Sequence, residues 1–283
     1  MEKLKLNAQQ IKEKAHSIRV NIIKSLVQAK SGHSAGPLDM TDILATLYFN
    51  EMNHEPKNPK LEGRDYFILS CGHTAPGVYA TLAEAGYFPK KWLNTLRKLG
   101  TKLQGHPCRH DTPGMETSSG SLGQGASIAA GLAYGLKMDK KPNRVYLFMS
   151  DGEQEEGSIW EAAMFAGVNK LDNICGMIDY NDIQIEGPMT KIMDISPLKE
   201  KYEAFRWNVI EVDGNDVEAL LKAFKEARSF KGKPTVLICK TVPGKGVSFM
   251  EGDYCWHGKP PNEEEAKKAL KELGAENDGF QIS

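Results

Sequence analysis

The sequence predicts an α/β fold of three layers, a mostly parallel sheet between two layers of helices. Two observations predict it. Five short, near-continuous apolar runs recur along the 283 residues, and helix-period patterns separate most of them. Strands that are apolar on both faces belong in a sheet covered on both sides. No internal repeat, low-complexity segment or Pro/Ser linker interrupts the series, so a single domain over 1–283 is expected.

Each element follows from a local pattern. Ile11, Ala15, Ile18, Ile22 and Leu26 form one stripe of an amphipathic helix that ends near Lys30, before Ser31-Gly32. A second helix fits Asp39 to Met52, with Asp39 placed to cap it. The strand-like runs are Tyr66–Ser70, Arg144–Met149, Asn173–Asp179, Asn208–Val212 and Thr235–Lys240. Helical patterns occupy Thr74–Gly86, Ser121–Met138, Gln154–Val168 and Val217–Phe230, and Asn262–Gly274 reads as a terminal surface helix.

Composition narrows the function. The formal net charge is −1, which gives no global reason to expect nucleic acid or an anionic membrane as partner. No run approaches the length needed to span a bilayer, and the charged start MEKLKLNAQQIKEK lacks an apolar signal core. The five cysteines are odd in number and show no CxxC, which points to a reducing, cytoplasmic setting.

Ligands of open parallel sheets collect beyond the carboxyl ends of the strands. Asp151 follows the run VYLFM and Asn181 follows ICGMID. Their spacing is the length of a strand-helix-strand unit, so both side chains reach one crevice if those strands are neighbours. A carboxylate, an amide oxygen and a backbone carbonyl make a sparse, hard-oxygen set that suits Mg²⁺. The plain alternative is an Asp-Gly turn and a loop-capping Asn. GSLGQGASIAAG (120–131) lacks the GxGxxG spacing, and PGKGVS (243–248) lacks that of a P-loop. Four histidines stand beside glycine: His33, His73, His106 and His257. None has the spacing of a zinc site, and neutral imidazoles suit proton transfer to hydroxyls and carbonyls.

Taken together, SGHSAGPLDMTDILA, LSCGHTAPGVYA, GHP, ETSSGSLGQGASIAAGLA, SDGEQEEGSIWEAAMFAG, YNDIQIEG, KYEAFRWNVIEVDGND and GKGVSFMEG…WHG resemble the N-terminal third to half of transketolase. The segments come in the family's order, from about His16 to about Gly258. The resemblance implies a thiamine-diphosphate-binding fold of the diphosphate-binding type. It implies that Asp151, Asn181 and the carbonyl of Ile183 hold Mg²⁺ or Ca²⁺, and that Gly152 gives its N–H to the diphosphate. Gly120, Ser121 and Leu122 would contact the aminopyrimidine side, and His73 the diphosphate. His33, His106 and His257 would line the substrate channel as acid/base partners, with His33 and His257 also bordering the cofactor phosphates. Glu156 matches a family glutamate in a carboxylate network between cofactor sites. Ser150 stands where the family has glycine, and Tyr180 where it has a polar residue; neither removes a ligand.

The length departs most from the family pattern. Family members are about twice as long, and the pyrimidine-binding and C-terminal domains have no counterpart here. The resemblance therefore implies the diphosphate-binding subunit of a split transketolase. A C-terminal transketolase subunit would complete it, most simply as an α₂β₂ heterotetramer acting on sugar phosphates. The rivals are a non-catalytic relic scaffold, a fragment of a longer chain and a subunit resembling deoxyxylulose-phosphate synthase; against the fragment, the polar helical C-terminus reads as a true end.

Overall fold

A computed structural model describes residues 5–276. The first four residues of the charged N-terminal stretch, and the last seven of the 1–283 domain expected from the sequence, lie outside the described residues.

Helix α1 (Ala8–Ala29) begins in a reciprocal cap: Asn7 Oδ1 accepts from Gln10 N, and Gln10 Oε1 accepts from Asn7 N, both at 3.0 Å. It stops where Lys30 turns left-handed at φ 52°. Two short helices follow, α2 (Ala35–Asp39) and α3 (Thr41–Thr46), the latter running into a π-turn at Leu47–Glu51. Here the expectation of a helix capped by Asp39 is corrected. The helical turns start four residues earlier, at Ala35, where Pro37 in the first turn has no N–H to leave unpaired. Asp39 ends α2, fully buried, and its carboxyl serves the candidate active site.

The strands β1 (Tyr66–Leu69), β2 (Val145–Ser150) and β3 (Ile174–Tyr180) lie within a residue of their predicted limits. Between them run α4 (Ala75–Ala85), α5 (Gln124–Met138) and α6 (Gly157–Val168). The helix expected from Gln154 begins later, because a 3₁₀ turn at Gly152–Glu155 comes first. A small antiparallel pair, β4 (Ile183–Gln184) and β5 (Gly187–Pro188), follows β3, with α7 (Met189–Ile192) and α8 (Leu198–Ala204) behind it. Then come β6 (Asn208–Asp213), α9 (Val217–Ser229), β7 (Thr235–Lys240) and α10 (Glu263–Glu272).

The main sheet has the order β1-β2-β3-β7-β6, and every pairing in it is parallel. Side chains alternate cleanly across it. Phe67, Leu69, Tyr146, Phe148, Cys175, Met177 and Leu237 join α1, α3, α4, α9 and α10 on one face. Ile68, Val145, Leu147, Met149, Ile174, Ile178 and Val236 meet α5, α6 and α8 on the other. The three-layer architecture is thus the one expected.

Alanines set the closeness of the second layer. Ala126, Ala129, Ala130 and Ala133 of α5, and Ala162, Ala163 and Ala166 of α6, form its buried face. The outward face of the same two helices is apolar too: Ile128, Tyr134, Met138, Met164, Phe165 and Val168 are all exposed. Among the described residues, no helix is long and apolar enough to cross a membrane.

Candidate active site

The sheet brings the two loops together. β2 and β3 are neighbours in register from Val145↔Ile174 to Ser150↔Asp179, so Asp151 and Asn181 leave adjacent strand ends. Asp151 is buried and acts as a knot. Its Oδ2 accepts from Asn181 N at 3.0 Å and Asp182 N at 2.7 Å, and its Oδ1 accepts from Gly152 N at 2.7 Å. Asp182 makes this possible by turning left-handed, φ 59°, a conformation aspartate tolerates better than most residues. Asn181 Oδ1 accepts from Ile183 N at 3.1 Å. Gly152, expected to donate to a diphosphate, spends its N–H on Asp151 in this structure.

The acids behind this loop are held against their preference for water. Burial, then the nearby Asp179 carboxylate, push Asp151 up to about 7, although three backbone N–H groups pull the other way. Burial also raises Asp179 to about 6, against hydrogen bonds from neighbouring side chains. Burial and Asp179 push Asp39 well above the usual carboxylate range. A divalent cation offsets this desolvation, so the loop's chemistry fits one.

Three of the four glycine-flanked histidines converge. His33 and His73 have ring centroids 5.0 Å apart, His73 and His257 5.4 Å, and His33 and His257 5.7 Å. Burial, reinforced by the other rings, lowers His33 to about 4 and His73 to about 3. Burial lowers His257 as well, opposed by Glu186 and by a hydrogen bond to the Ile183 backbone. The chain beside His257 joins the imidazole trio to the loop after Asn181: a Cβ built on Gly258 would lie 3.9 Å from the His33 ring and 3.9 Å from Ile185 Cγ1. The Nδ1 atoms of His33 and His257 are buried without a partner among the described residues, as a site built for a polar ligand requires. His106 is exposed and makes no ring contact with the three, but it is near enough to lower His33 and His73 further; a Cβ built on Gly120 would lie 3.5 Å from its ring.

The glycine-rich segment presses on the end of β1. A Cβ on Gly72 would come within 2.8 Å of Gly120 N, and one on Gly125 within 2.5 Å of Ser70. Gly120, Ser121 and Gln124 line a shallow cavity with Ser118 and Ile128, while Leu122 packs inward against the core. Glu156 is exposed at the start of α6. The buried acid there is Glu153, which accepts from Ser70 Oγ, from Gly123 N at 2.6 Å and from Ser150 N at 3.3 Å. Burial pushes Glu153 up to about 7. Among the three glutamates in DGEQEEG, nothing in the sequence marks which one the 3₁₀ turn rotates inward. Asp39 and Asp179 were likewise not singled out as site residues.

Together the layered sheet, the Asp–Asn loop and the glycine cradle define a diphosphate-binding α/β domain of the thiamine-diphosphate type. Residues 10–283 match the family model described as transketolase, thiamine diphosphate binding domain. The chain is 41% identical over 266 residues to the 6-deoxy-6-sulfo-D-fructose transketolase subunit of a Clostridium species, covering 94% of this chain and 97% of that protein. It is 40% identical over 276 residues to one of the named subunits of the apulose-4-phosphate transketolase of Actinobacillus succinogenes, covering 96% and 99%. Rat transketolase is 39% identical over 94% of this chain, which spans only 42% of that protein. The crystal structure of Campylobacter jejuni transketolase superposes with a TM-score of 0.92 at 34% identity, over 98% of this chain and 45% of that one. The chain belongs to the transketolase family, as its thiamine-diphosphate-binding domain; the relatives are transferases.

Proposed function

We propose that this chain, as a single domain, is the diphosphate-binding half of a two-chain transketolase that moves a two-carbon ketol unit between sugar phosphates. The single observation that carries this reading is the meeting of the Asp151–Asn181 loop with the His33–His73–His257 trio, which share the space around Gly258 beyond the strand ends. In this reading Asp151, Asn181 and the carbonyl of Ile183 hold Mg²⁺ or Ca²⁺. His73 receives the diphosphate, joined by the Gly152 N–H once it turns from Asp151, and Gly120, Ser121 and Leu122 border the aminopyrimidine side. Thiamine diphosphate supplies, when bound, the nucleophilic carbon and the electron sink for ketol transfer.

The protein's own part is orientation and proton handling. His33 is neutral near pH 7, so its unpaired Nδ1 is free to exchange a proton with a donor carbonyl or hydroxyl. His257 has an unpaired Nδ1 of the same kind, and His106 guards the exposed side. In this reading Glu156 belongs to a carboxylate network between cofactor sites; its exposure at the start of α6 is compatible with that.

The companion is a C-terminal transketolase subunit, most simply in an α₂β₂ assembly. Two relatives of matching length carry the names of transketolase subunits rather than of whole transketolases. Five unpaired cysteines support a cytoplasmic setting. The test is to purify the untagged chain from its native cell, identify what co-purifies, and assay both forms with thiamine diphosphate and Mg²⁺. Ketol transfer from xylulose 5-phosphate is expected from the pair and not from the chain alone. Full transfer by the lone chain overturns the two-chain reading, and activity with pyruvate in place of the ketose phosphate overturns the donor class.

A further inference from the structure

An asparagine amide has an oxygen that attracts a cation and an NH₂ that repels one. Something must decide which end of Asn181 faces the metal site. Asn181 Nδ2 donates to Asp39 Oδ2 at 2.9 Å and to Asp179 Oδ2 at 3.2 Å. Turning the amide over would aim its oxygen at two carboxyl oxygens. Asn181 Oδ1 is therefore held on the opposite side, 3.1 Å from the N–H of Ile183, whose carbonyl is the next proposed ligand.

We infer that Asp39 is a positioning residue for the divalent cation: it grips the Asn181 NH₂ from the helical layer and so presents the amide oxygen to the metal. This inference rests on the proposed metal site.

Three features support it. Asp39 comes from α2, six residues after His33, and so reaches the loop from outside the sheet, while Asp179 grips the same NH₂ from β3. Its place is fixed from behind. Asp39 O accepts from Asn215 Nδ2 at 3.0 Å, and the same Nδ2 lies 3.1 Å from Asp42 Oδ2. Arg19 of α1 clamps Asp42 at 2.5 and 3.2 Å. A polar string thus runs from the Asn181 loop through α2 and α3 to α1. Finally, Asp39 is fully buried beside the Asp179 carboxyl. Two carboxyl groups held together in the interior cost stability, so packing alone does not explain the residue. Its contact with Asn181 supplies a reason.

The test measures metal binding, not turnover. The full chain, assembled with its companion and saturated with thiamine diphosphate, is stripped of metal and titrated with Mn²⁺, free ion being read by electron paramagnetic resonance. Asp39→Ala removes the acceptor, and Asp39→Val does so while filling the space. Asp39→Asn removes the charge but keeps an oxygen able to accept from Asn181. Asp151→Asn is the control for the site itself. Loss of an outer hydrogen-bond partner costs on the order of tenfold or more in metal affinity, so Ala and Val are expected to fall by about that factor and Asn by less than about threefold. Melting curves verify that each variant is folded, and Val keeps the test open if Ala is not. Wild-type affinity in both Ala and Val overturns the inference. A loss in Asn equal to that in Ala also overturns it, because charge rather than orientation would then be what matters. If wild type and Asp151→Asn bind Mn²⁺ equally weakly, the metal reading itself fails and takes this inference with it.

Discussion

The backbone N–H of Asn181 donates to the carboxylate of Asp151 across 3.0 Å, joining the loops that follow two adjacent strands. The side chain that would ligate a cation is also the one that shapes the loop around it. Structure and proposed chemistry are therefore coupled at this residue, and substitutions there and nearby separate the parts of that coupling.

Asp151→Ala leaves three backbone N–H groups, of Gly152, Asn181 and Asp182, without their acceptor. A buried donor left without its acceptor costs about 1–3 kcal/mol, and partial rehydration of the loop recovers some, so a loss of about 3 kcal/mol over the three is expected. Urea unfolding of the chain measures it. Mg²⁺-dependent quenching of tryptophan fluorescence by thiamine diphosphate should disappear in the same variant. Quenching at wild-type cofactor concentrations would remove Asp151 from the metal site.

The acid limb of stability should steepen because of His73. Its folded value near 3 lies below the ordinary 6.5, so between those limits the unfolded chain holds a proton that the native state does not. Stability is unaffected by this group above pH 6.5 and falls as pH drops below it, by up to about 1.4 kcal/mol per pH unit. His73→Gln should flatten the profile between pH 6 and 4 by about one proton. An unchanged slope in denaturant titrations at stepped pH would show that the ring is not buried neutral.

Gly125→Ala sets a methyl within 2.5 Å of Ser70. The start of α5 has to retreat from the end of β1, and the Gly125 N to Ser70 Oγ bond at 3.0 Å is lost. Overpacking of this kind costs about 1–3 kcal/mol. Gly131→Ala, on the same helix with open space around it, should be neutral or stabilising. Equal midpoints for the two variants would contradict the close approach.

Glu153→Gln puts an NH₂ against either the Ser150 N–H or the Gly123 N–H, since both carboxylate oxygens now accept. One donor is left facing a donor in the interior, at a cost of about 1–3 kcal/mol. Glu156→Gln, exposed, should leave the isolated chain's stability within about 0.5 kcal/mol. Thermal unfolding of the pair of variants decides which glutamate organises the cradle.

The legible parts of this molecule were those set by periodic burial. β1, β2, β3 and β7 could be drawn from apolar runs because they are buried on both faces, while β6, at one edge of the sheet, is only half-buried and shows as a shorter, mixed run. The Asp151–Asn181 pairing was legible because chain geometry allows a strand-helix-strand unit few alternatives. The convergence of His33, His73 and His257 was visible as repeated Gly-His neighbours and through the family resemblance; the distances needed the fold. Asp39 was misread as a cap, since an aspartate before an apolar run looks the same whether its carboxyl turns to a helix end or into the core. Glu153 was hidden by a single short 3₁₀ turn, which decides the direction of three neighbouring glutamates. The β4–β5 pair is too short to leave any periodic trace.

The outer face of α5 and α6 holds two sulfurs in plain reach of solvent, Met138 at 66% exposure and Met164 at 51%. Thioethers in that position are converted to sulfoxides by mild peroxide, while shielded ones are spared. Peptide mass mapping after a brief oxidant pulse would thus turn these two residues into a label-free gauge of whether that flank is wet or covered in any given preparation.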